Sequence, residues 1–250
     1  METKNTLNHS QIIILGLCLF AASVLSTVIL SRTLVQIKKF SQEVITVTGS
    51  AETQIVSDDA VWRCEFWRRD PAMTQAFALV RGDLKEVQEY LLSKGVKPEE
   101  ITVEQASTST IYRKNEKGND TNDIEGYQIL QSLAVRSRGV GKIAELSRIS
   151  TELIDKGIQF TSLQPEYFYT GLAGLKLEML ARATENARER AENMAQATGN
   201  KIGFMRSAKM GVFQITPVTS YEISDWGTND TSSLEKKVTA VVNVSFAIAS

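Results

Sequence analysis

The chain has 250 residues, with 28 Lys and Arg against 29 Asp and Glu for a formal charge of −1, and 42% of its residues are hydrophobic. Those proportions exclude a disordered acidic tail and a strongly basic nucleic-acid binder, and leave an ordinary folded chain. One stretch departs from this: no Lys, Arg, Asp or Glu lies between Lys4 and Arg32, and Ile12 to Leu30 is almost wholly apolar over 19 residues. That length falls within the roughly 17 to 25 residues that cross a bilayer as a helix.

The chain therefore divides into a tail over 1–10, a transmembrane helix over 11–31 acting as a signal anchor, a juxtamembrane linker over 32–42 and a folded α+β domain over 43–250. Gly16, Ser23, Ser26 and Thr27 fit the spanning reading, since small polar groups can bond back to the helix while Ile, Leu and Phe face lipid. A cleaved signal peptide is the rival, but Val24-Leu25-Ser26 matches its small-x-small site poorly. Leu15-Gly16-Leu17 lacks the small residue that precedes a lipoprotein cysteine, so Cys18 reads as a membrane-facing side chain. Flanking charge favours a cytoplasmic domain weakly: Arg32, Lys38 and Lys39 follow the segment, while Lys4 and the amino terminus, offset by Glu2, precede it. With Cys18 in the membrane, Cys64 has no partner in its own chain, so no internal disulfide marks an oxidising compartment.

From Phe40 onward, 24 Lys and Arg face 28 Asp and Glu across 211 residues, enough chain for one large domain or two small ones. Glu43 to Thr48 and Ile55 to Arg69 read as strands separated by a turn at Gly49-Ser50. In the second, Ala60, Trp62, Cys64 and Phe66 share one face and Arg63, Glu65, Trp67 and Arg69 the other, so Cys64 is expected to be buried. Pro71 opens a helix to about Ser93 with Phe77, Val80, Leu84, Val87 and Leu91 as its buried stripe and Gly95 at its end. Strands follow over Ile101 to Tyr112 and Ile124 to Arg138, joined by a polar hairpin loop from Arg113 to Asp123.

An amphipathic helix carries Ile143, Leu146, Ile149, Leu153 and Ile154 and stops near Gly157, and Ile158 to Tyr169 returns as a strand. The longest helix of the domain spans Leu172 to Ala197. Ala183, Ala187, Ala191 and Ala195 mark a face made for close approach, and Glu178, Arg182, Glu185, Arg188 and Glu192 a solvated one. Lys201 to Ile215 and Lys236 to Ala249 complete the set, the last with Val238, Ala240, Val242, Val244, Phe246 and Ile248 in alternation. The order ββαββαβαββ is that of an α+β fold with mostly antiparallel sheet and packed helices, preceded by one N-terminal transmembrane helix.

The only histidine, His9, precedes the apolar segment, which removes Ser-His-Asp and Cys-His catalysis, and imidazole-dependent metal sites, from the folded region. Cys64 without a His to activate it reads as core. Asp58 and Asp59, adjacent in extended chain, point to opposite faces and do not converge for acid-base work; a solvated strand start is the preferred reading. Asn119, Asp120, Asn122 and Asp123 supply hard oxygens without EF-hand spacing. Gly49-x-x-Glu52 and Gly171-x-x-Gly174 are too short to mark phosphate binding. Arg63, Arg68 and Arg69 beside Trp67 form the nearest approach to a nucleic-acid stripe and read as a solvated strand face. No catalytic, cofactor or metal residue is assigned, and no nucleic-acid partner.

Thr216 to Glu235 is longer than the roughly 12 to 15 residues at which structureless loops become unusual. It presents Tyr221, Ile223 and Trp226, which either fold back on their own domain or bury against a neighbour, and these three form the candidate interaction loop.

Ile45-Thr46-Val47-Thr48-Gly49-Ser50-Ala51-Glu52 followed by Asp58-Asp59-Ala60 entering a strand resembles the opening of SIMPL-domain proteins. The likeness continues through Lys94-Gly95-Val96 with Ile101, through Gly126-Tyr127-Gln128, and through Ala195-Gln196-Ala197-Thr198-Gly199. It covers about Val44 to the C-terminus and departs at Gly49-Ser50-Ala51, where many members have a second glycine. The resemblance implies an exported α+β domain of the bacterial envelope with an N-terminal signal or anchor and no catalytic constellation. Some members assemble into ring-like homo-oligomers, and some are associated with oxidative-stress defence.

These readings lead to a non-enzymatic, single-pass protein of the bacterial inner membrane, its large domain on the periplasmic side. It is expected to bind the membrane through 11–31 and to form a homo-oligomer through strand edges and the Tyr221 to Trp226 loop, with other envelope proteins as further partners. A ligand-binding sensory module coupled to the membrane helix is the alternative from another class. A hydrolase using only Asp58 and Asp59 is a third.

Overall fold

A computed structural model describes residues 9–42 and 44–249. The tail up to residue 8, with Glu2 and Lys4, lies outside the described residues, as do the side chains of Lys38 and Lys39. Helix α1 runs from His9 to Gln42. Its Ile13–Val35 section is long and apolar enough to cross a membrane and has none of its hydropathic window buried in protein. Ser23 Oγ donates to Phe20 O at 2.8 Å and Thr27 Oγ1 to Ser23 O at 2.8 Å, returning their polar groups to the helix. The helix continues through the segment expected as a linker, reaching Gln42 without a break.

The rest of the chain holds β1 (Val44–Val56), β2 (Asp59–Asp70), α2 (Met73–Ser93), β3 (Ile101–Val103), β4 (Ser107–Lys114) and β5 (Asp120–Ser137). Then come α3 (Val140–Ile149), α4 (Glu152–Asp155), β6 (Phe160–Ser162), β7 (Glu166–Phe168) and α5 (Leu172–Ala197). The chain ends with β8 (Lys201–Met210), β9 (Gln214–Pro217), β10 (Thr228–Asn229) and β11 (Glu235–Ala249). The pairings among β2 to β11 are antiparallel apart from the parallel β9–β10 contact, so the fold is α+β. Contacts divide it into a smaller unit (residues up to 49, 184–210 and 242 onward) and a larger one (50–183 and 211–241).

In the larger unit β2 pairs with β5 from Ala60↔Ser137 to Asp70↔Tyr127, with β3 and β4 on the far side of β5 and β6 and β7 beyond β2. Ala60, Trp62, Cys64 and Phe66, alternate residues of one face, are all fully buried. They pack with Leu133 and Val135 against the inner faces of α2 and α3, in one core with Val87, Leu91, Ile143 and Leu146. Each large apolar side chain so buried contributes about 1.5–3 kcal/mol relative to exposure. Gly126 lies where β5 meets the end of β2, and a Cβ there would stand 3.0 Å from Asp70 O, so a larger residue would have to push that backbone aside by a few tenths of an ångström.

Helix α2 ends as its sequence indicates. Gly95 has φ +79°, its N–H donates to Leu92 O and that of Val96 to Leu91 O, the paired bonds that satisfy the last carbonyls. The buried stripe is turned relative to expectation: Val80, Val87 and Leu91 are inside and Leu84 packs at the core's margin, but Phe77 is 47% exposed. Ala76 and Asp83 face inward instead. Asp83 is tolerated there because Arg68 Nε and Nη2 bind its two oxygens at 2.6 and 2.7 Å.

Several expected elements divide or shift. No turn occurs at Gly49-Ser50; β1 runs through them because Ala51 and Ile55 continue its buried face, and the reversal falls at Ser57-Asp58. The strand expected over Ile158 to Tyr169 splits before Pro165, which has no N–H for a ladder. The helix expected through Ile154 breaks after Ile149, because Ser162 Oγ donates to Ser147 O at 2.7 Å and Tyr90 Oη to Ile149 O at 3.1 Å, taking up its terminal carbonyls. Ile154 is exposed. The strand expected over Ile101 to Tyr112 divides into β3 and β4, and that over Lys201 to Ile215 into β8 and β9. The β4–β5 hairpin is present, with Lys114 paired to Asp120, so the reversal needs only the five residues between.

In the smaller unit the second half of β11 pairs with β8, from Val242↔Met210 to Ala249↔Lys201. Thr46 and Ser245 hydroxyls meet at 2.8 Å, and Arg190 Nη1 donates to Thr48 O at 2.8 Å. Ala187, Ala191 and Ala195 of α5 are fully buried in this unit, as Ala183 is in the larger one. Arg188 Nε bonds Glu192 Oε1 at 2.9 Å on the solvated side.

Candidate functional site

The residues that sequence chemistry singled out do not converge. Asp58 accepts from Thr170 N–H and Oγ1 at 2.7 and 2.6 Å, whereas Asp59, only 4% exposed, accepts from Arg136 Nε and Nη2 at 2.8 and 2.7 Å. Asp59 is thus a buried, ion-paired residue and not part of a solvated strand start. Cys64 is fully buried, and burial pushes its thiol up to about 12, leaving no thiolate for nucleophilic or redox work at neutral pH. Arg63 pairs with Glu166 at 2.6 Å, Arg68 with Asp83, and Arg69 bonds Gln128 at 2.7 Å while its guanidinium lies 4.8 Å from the Trp67 ring. Among the described residues no three His, Cys, Asp or Glu are grouped to hold a metal ion.

Thr170 holds the Asp58 carboxyl below the usual carboxylate range, and the hydroxyl of Ser137 does the same for Glu100. Both folded values are depressed, so their stabilisation is complete above the unfolded values near 3.8 and 4.5 and is lost as pH falls through the lower folded ones. The thermal midpoint of the detergent-solubilised chain is therefore expected to drop on acidification below about pH 4. Calorimetry across pH 3 to 7 checks this, and Asp58→Asn is expected to flatten the profile.

The candidate interaction loop is anchored at its base and bare at its tip. Gln214 Nε2 donates to Ser224 O at 2.6 Å, and the N–H groups of Ser57 and Tyr167 donate to Leu234 O and Thr231 O at 2.9 and 2.7 Å. Lys236, 3% exposed, donates through Nζ to Tyr167 O and Asp230 O at 2.6 and 2.5 Å. Burial lowers its ammonium from the ordinary 10.5, and the Asp230 charge opposes that shift. Beyond these ties Tyr221, Ile223 and Trp226 are 89%, 82% and 94% exposed. Of the two readings of the loop, folding back over these side chains is not what the structure has.

Sequence periodicity missed a second exposed surface. Strand β8 pairs with β11 alone among the described residues. Met210 lies opposite Val242 and Met205 opposite Phe246. Val242 and Phe246 are buried while Met205 and Met210 are each 56% exposed and Phe204 86%. The apolar face that is covered on β11 is bare on its neighbour. The alternation of β8 resembles any half-buried strand, and nothing in a single sequence tells that its cover is missing.

An α+β domain of antiparallel sheets, carried behind a helix able to span a membrane and displaying an open strand and an aromatic loop, defines the class of this protein. The family model SIMPL, described as protein of unknown function (DUF541), matches residues 45–246. The chain belongs to the SIMPL family. No curated protein matches it.

Proposed function

We propose that this chain is a membrane-anchored, non-enzymatic protein of the bacterial inner membrane whose SIMPL domain faces the periplasm and self-associates into a homo-oligomer. The observation that carries the reading is the open strand β8, where Met205 and Met210 stand exposed opposite buried Phe246 and Val242, and Phe204 is exposed next to Met205. A strand edge with unpaired backbone groups and apolar side chains is a template for another strand. Lys201, Arg206 and Lys209 along the same strand limit indiscriminate pairing. A second copy is the natural occupant, because anchoring confines identical edges to one membrane and a two-fold axis makes an edge complementary to itself. Tyr221, Ile223 and Trp226 supply aromatic and apolar area of the kind that interface centres use.

A part in envelope or oxidative-stress defence is what the family resemblance suggests, and the buried Cys64 offers it no reactive thiol. Native mass spectrometry of the full chain released from detergent tests assembly. The wild type is expected as a defined oligomer and Phe204→Asp as predominantly monomer; a strictly monomeric wild type at micromolar concentration contradicts the reading. The alternative, a sensory module, is favoured by the unbroken run of α1 to Gln42, immediately ahead of the domain. A ligand that changes the domain without changing its assembly would select that alternative.

A further inference from the structure

A groove of about 670 Å³ opens in the larger unit where the end of β5, the start of α3 and the short turn at Pro98–Glu100 meet. Its lining contains no apolar side chain. Lys97, Arg136, Arg138 and Lys142 enter it from three separate elements, against the two carboxylates Asp59 and Glu100. Both carboxylates are already engaged. Asp59 takes two N–H groups of Arg136, and Glu100 accepts the Lys97 backbone N–H at 2.9 Å and the hydroxyl of Ser137.

Asp58, beside the groove, is bonded twice by Thr170. Lys142 Nζ donates to Gly95 O and has donors to spare. Arg138 and Lys97 are exposed and make no ion pair among the described residues. The lining thus carries four cations against two carboxylates, an excess of two that the neighbouring Asp58 carboxylate, which feels Arg138, reduces to one. No aliphatic or aromatic side chain lines the groove for a hydrocarbon ligand, and a single carboxylate would leave most of its cations unused.

We propose that this groove binds a phosphate-bearing anion of at least two negative charges. Arg138 engages it through the guanidinium fork, which matches phosphate oxygens in pairs. Lys97 and Lys142 close on it as point charges from opposite elements, and Arg136 remains committed mainly to Asp59. Ser137 and Thr170, which also line the groove, have their hydroxyl protons committed to Glu100 and Asp58, so the cations carry the binding. The same chemistry is offered by a soluble pyrophosphate-like compound and by the monoester headgroup of an anionic lipid.

The test uses the full chain in phosphatidylcholine nanodiscs, first titrated with inorganic pyrophosphate by calorimetry, then mixed with phosphatidylcholine liposomes with or without phosphatidic acid. Saturable pyrophosphate binding, weakened at least tenfold in Arg138→Gln and less in Arg138→Lys, supports a soluble ligand. Capture only by phosphatidic acid liposomes, lost in Arg138→Gln, supports a lipid headgroup. Lys117→Gln, exposed in the β4–β5 hairpin turn and outside the groove, is the control and should behave as wild type. Pyrophosphate or phosphatidic acid should also slow acetylation of Lys97 and Lys142 in the wild-type chain, a readout independent of any variant's folding. No binding in either arm, or binding untouched by Arg138→Gln with no protection of the two lysines, overturns the proposal.

Discussion

Trp62→Ala lowers the stability of the domain by about 3–5 kcal/mol, the range for removing a fully buried indole from a packed core. Trp62 has no exposed surface, its ring centroid lies 6.4 Å from that of Phe160, and its Nε1–H donates to Ser162 Oγ at 3.0 Å. The substitution opens a cavity beneath α2 and α3, whose inner faces meet β2 in the same core. It also leaves Ser162 without the donor that orients it, while Ser162 itself takes up the carbonyl of Ser147. Trp62→Phe keeps most of the volume and is expected to cost about half as much. Calorimetry of the detergent-solubilised full chain should show the alanine variant melting roughly 10 °C below wild type.

Lys236→Met tests the other concentrated source of stability. Methionine nearly conserves the volume, so the change isolates the ammonium. Without Nζ, the carbonyls of Tyr167 and Asp230 lose their donor. Asp230 Oδ2, buried and without a hydrogen bond in the structure, loses the nearest opposite charge as well. Leaving two acceptors unsatisfied costs about 2–4 kcal/mol in total, reduced by the desolvation that a buried lysine no longer suffers.

The same change is expected to free the 228–235 segment, seen as faster amide exchange at Thr231 and Leu234. Asp230→Asn combined with Lys236→Met should cost less than the two single changes added together, since the uncompensated carboxylate is then absent. Lys237→Met, one residue away and on the other face, loses an exposed contact with the Tyr221 ring at 4.9 Å and should cost no more than about 1 kcal/mol. If the two lysines behave alike, the buried tie does not hold the loop's base.

Both predictions rest on one-face alternation, and that part of the fold was legible. The run from Ala60 to Phe66 reads as one buried face because each second residue is apolar and wide, and Ala183 to Ala195 reads as a close-packed face by their fourfold spacing. The last strand is equally plain, yet its inward register begins with Lys236, which extends the set Val238, Ala240 and Val242 by one step. The sequence reading left Lys236 out of that face, because only tertiary structure supplies the two carbonyls that make a lysine acceptable there. Asp83 displaced Phe77 from the buried stripe of α2 for the same reason: its partner Arg68 is on another element. Breaks were harder still, since Gly49-Ser50 has turn composition but lies in a strand whose buried face continues past it.

The candidate surfaces divide in the same way. Loop length alone pointed to Tyr221, Ile223 and Trp226, and the structure leaves all three exposed, with the Lys237 ammonium 4.9 Å from the Tyr221 ring centroid. The cationic groove had a local trace in Arg136-Ser137-Arg138-Gly139 running from strand to helix, but Lys97 joins it from far earlier in the chain. For β8 the sequence carried no trace, because an apolar residue without a cover looks like one that has it.

The most direct test of assembly through β8 places a cysteine near the middle of that strand in the full-length protein, as Ser207→Cys with Cys18→Ala. Cys64 can remain, since it is sealed in the core. Spheroplasts are treated with a membrane-impermeant bismaleimide, and products are separated by mass under denaturing conditions. A periplasmic domain joined through its open strand gives covalent dimers of Ser207→Cys and none of Lys85→Cys on the exposed side of α2. Monomers alone from Ser207→Cys, in spheroplasts and in opened membranes alike, contradict it.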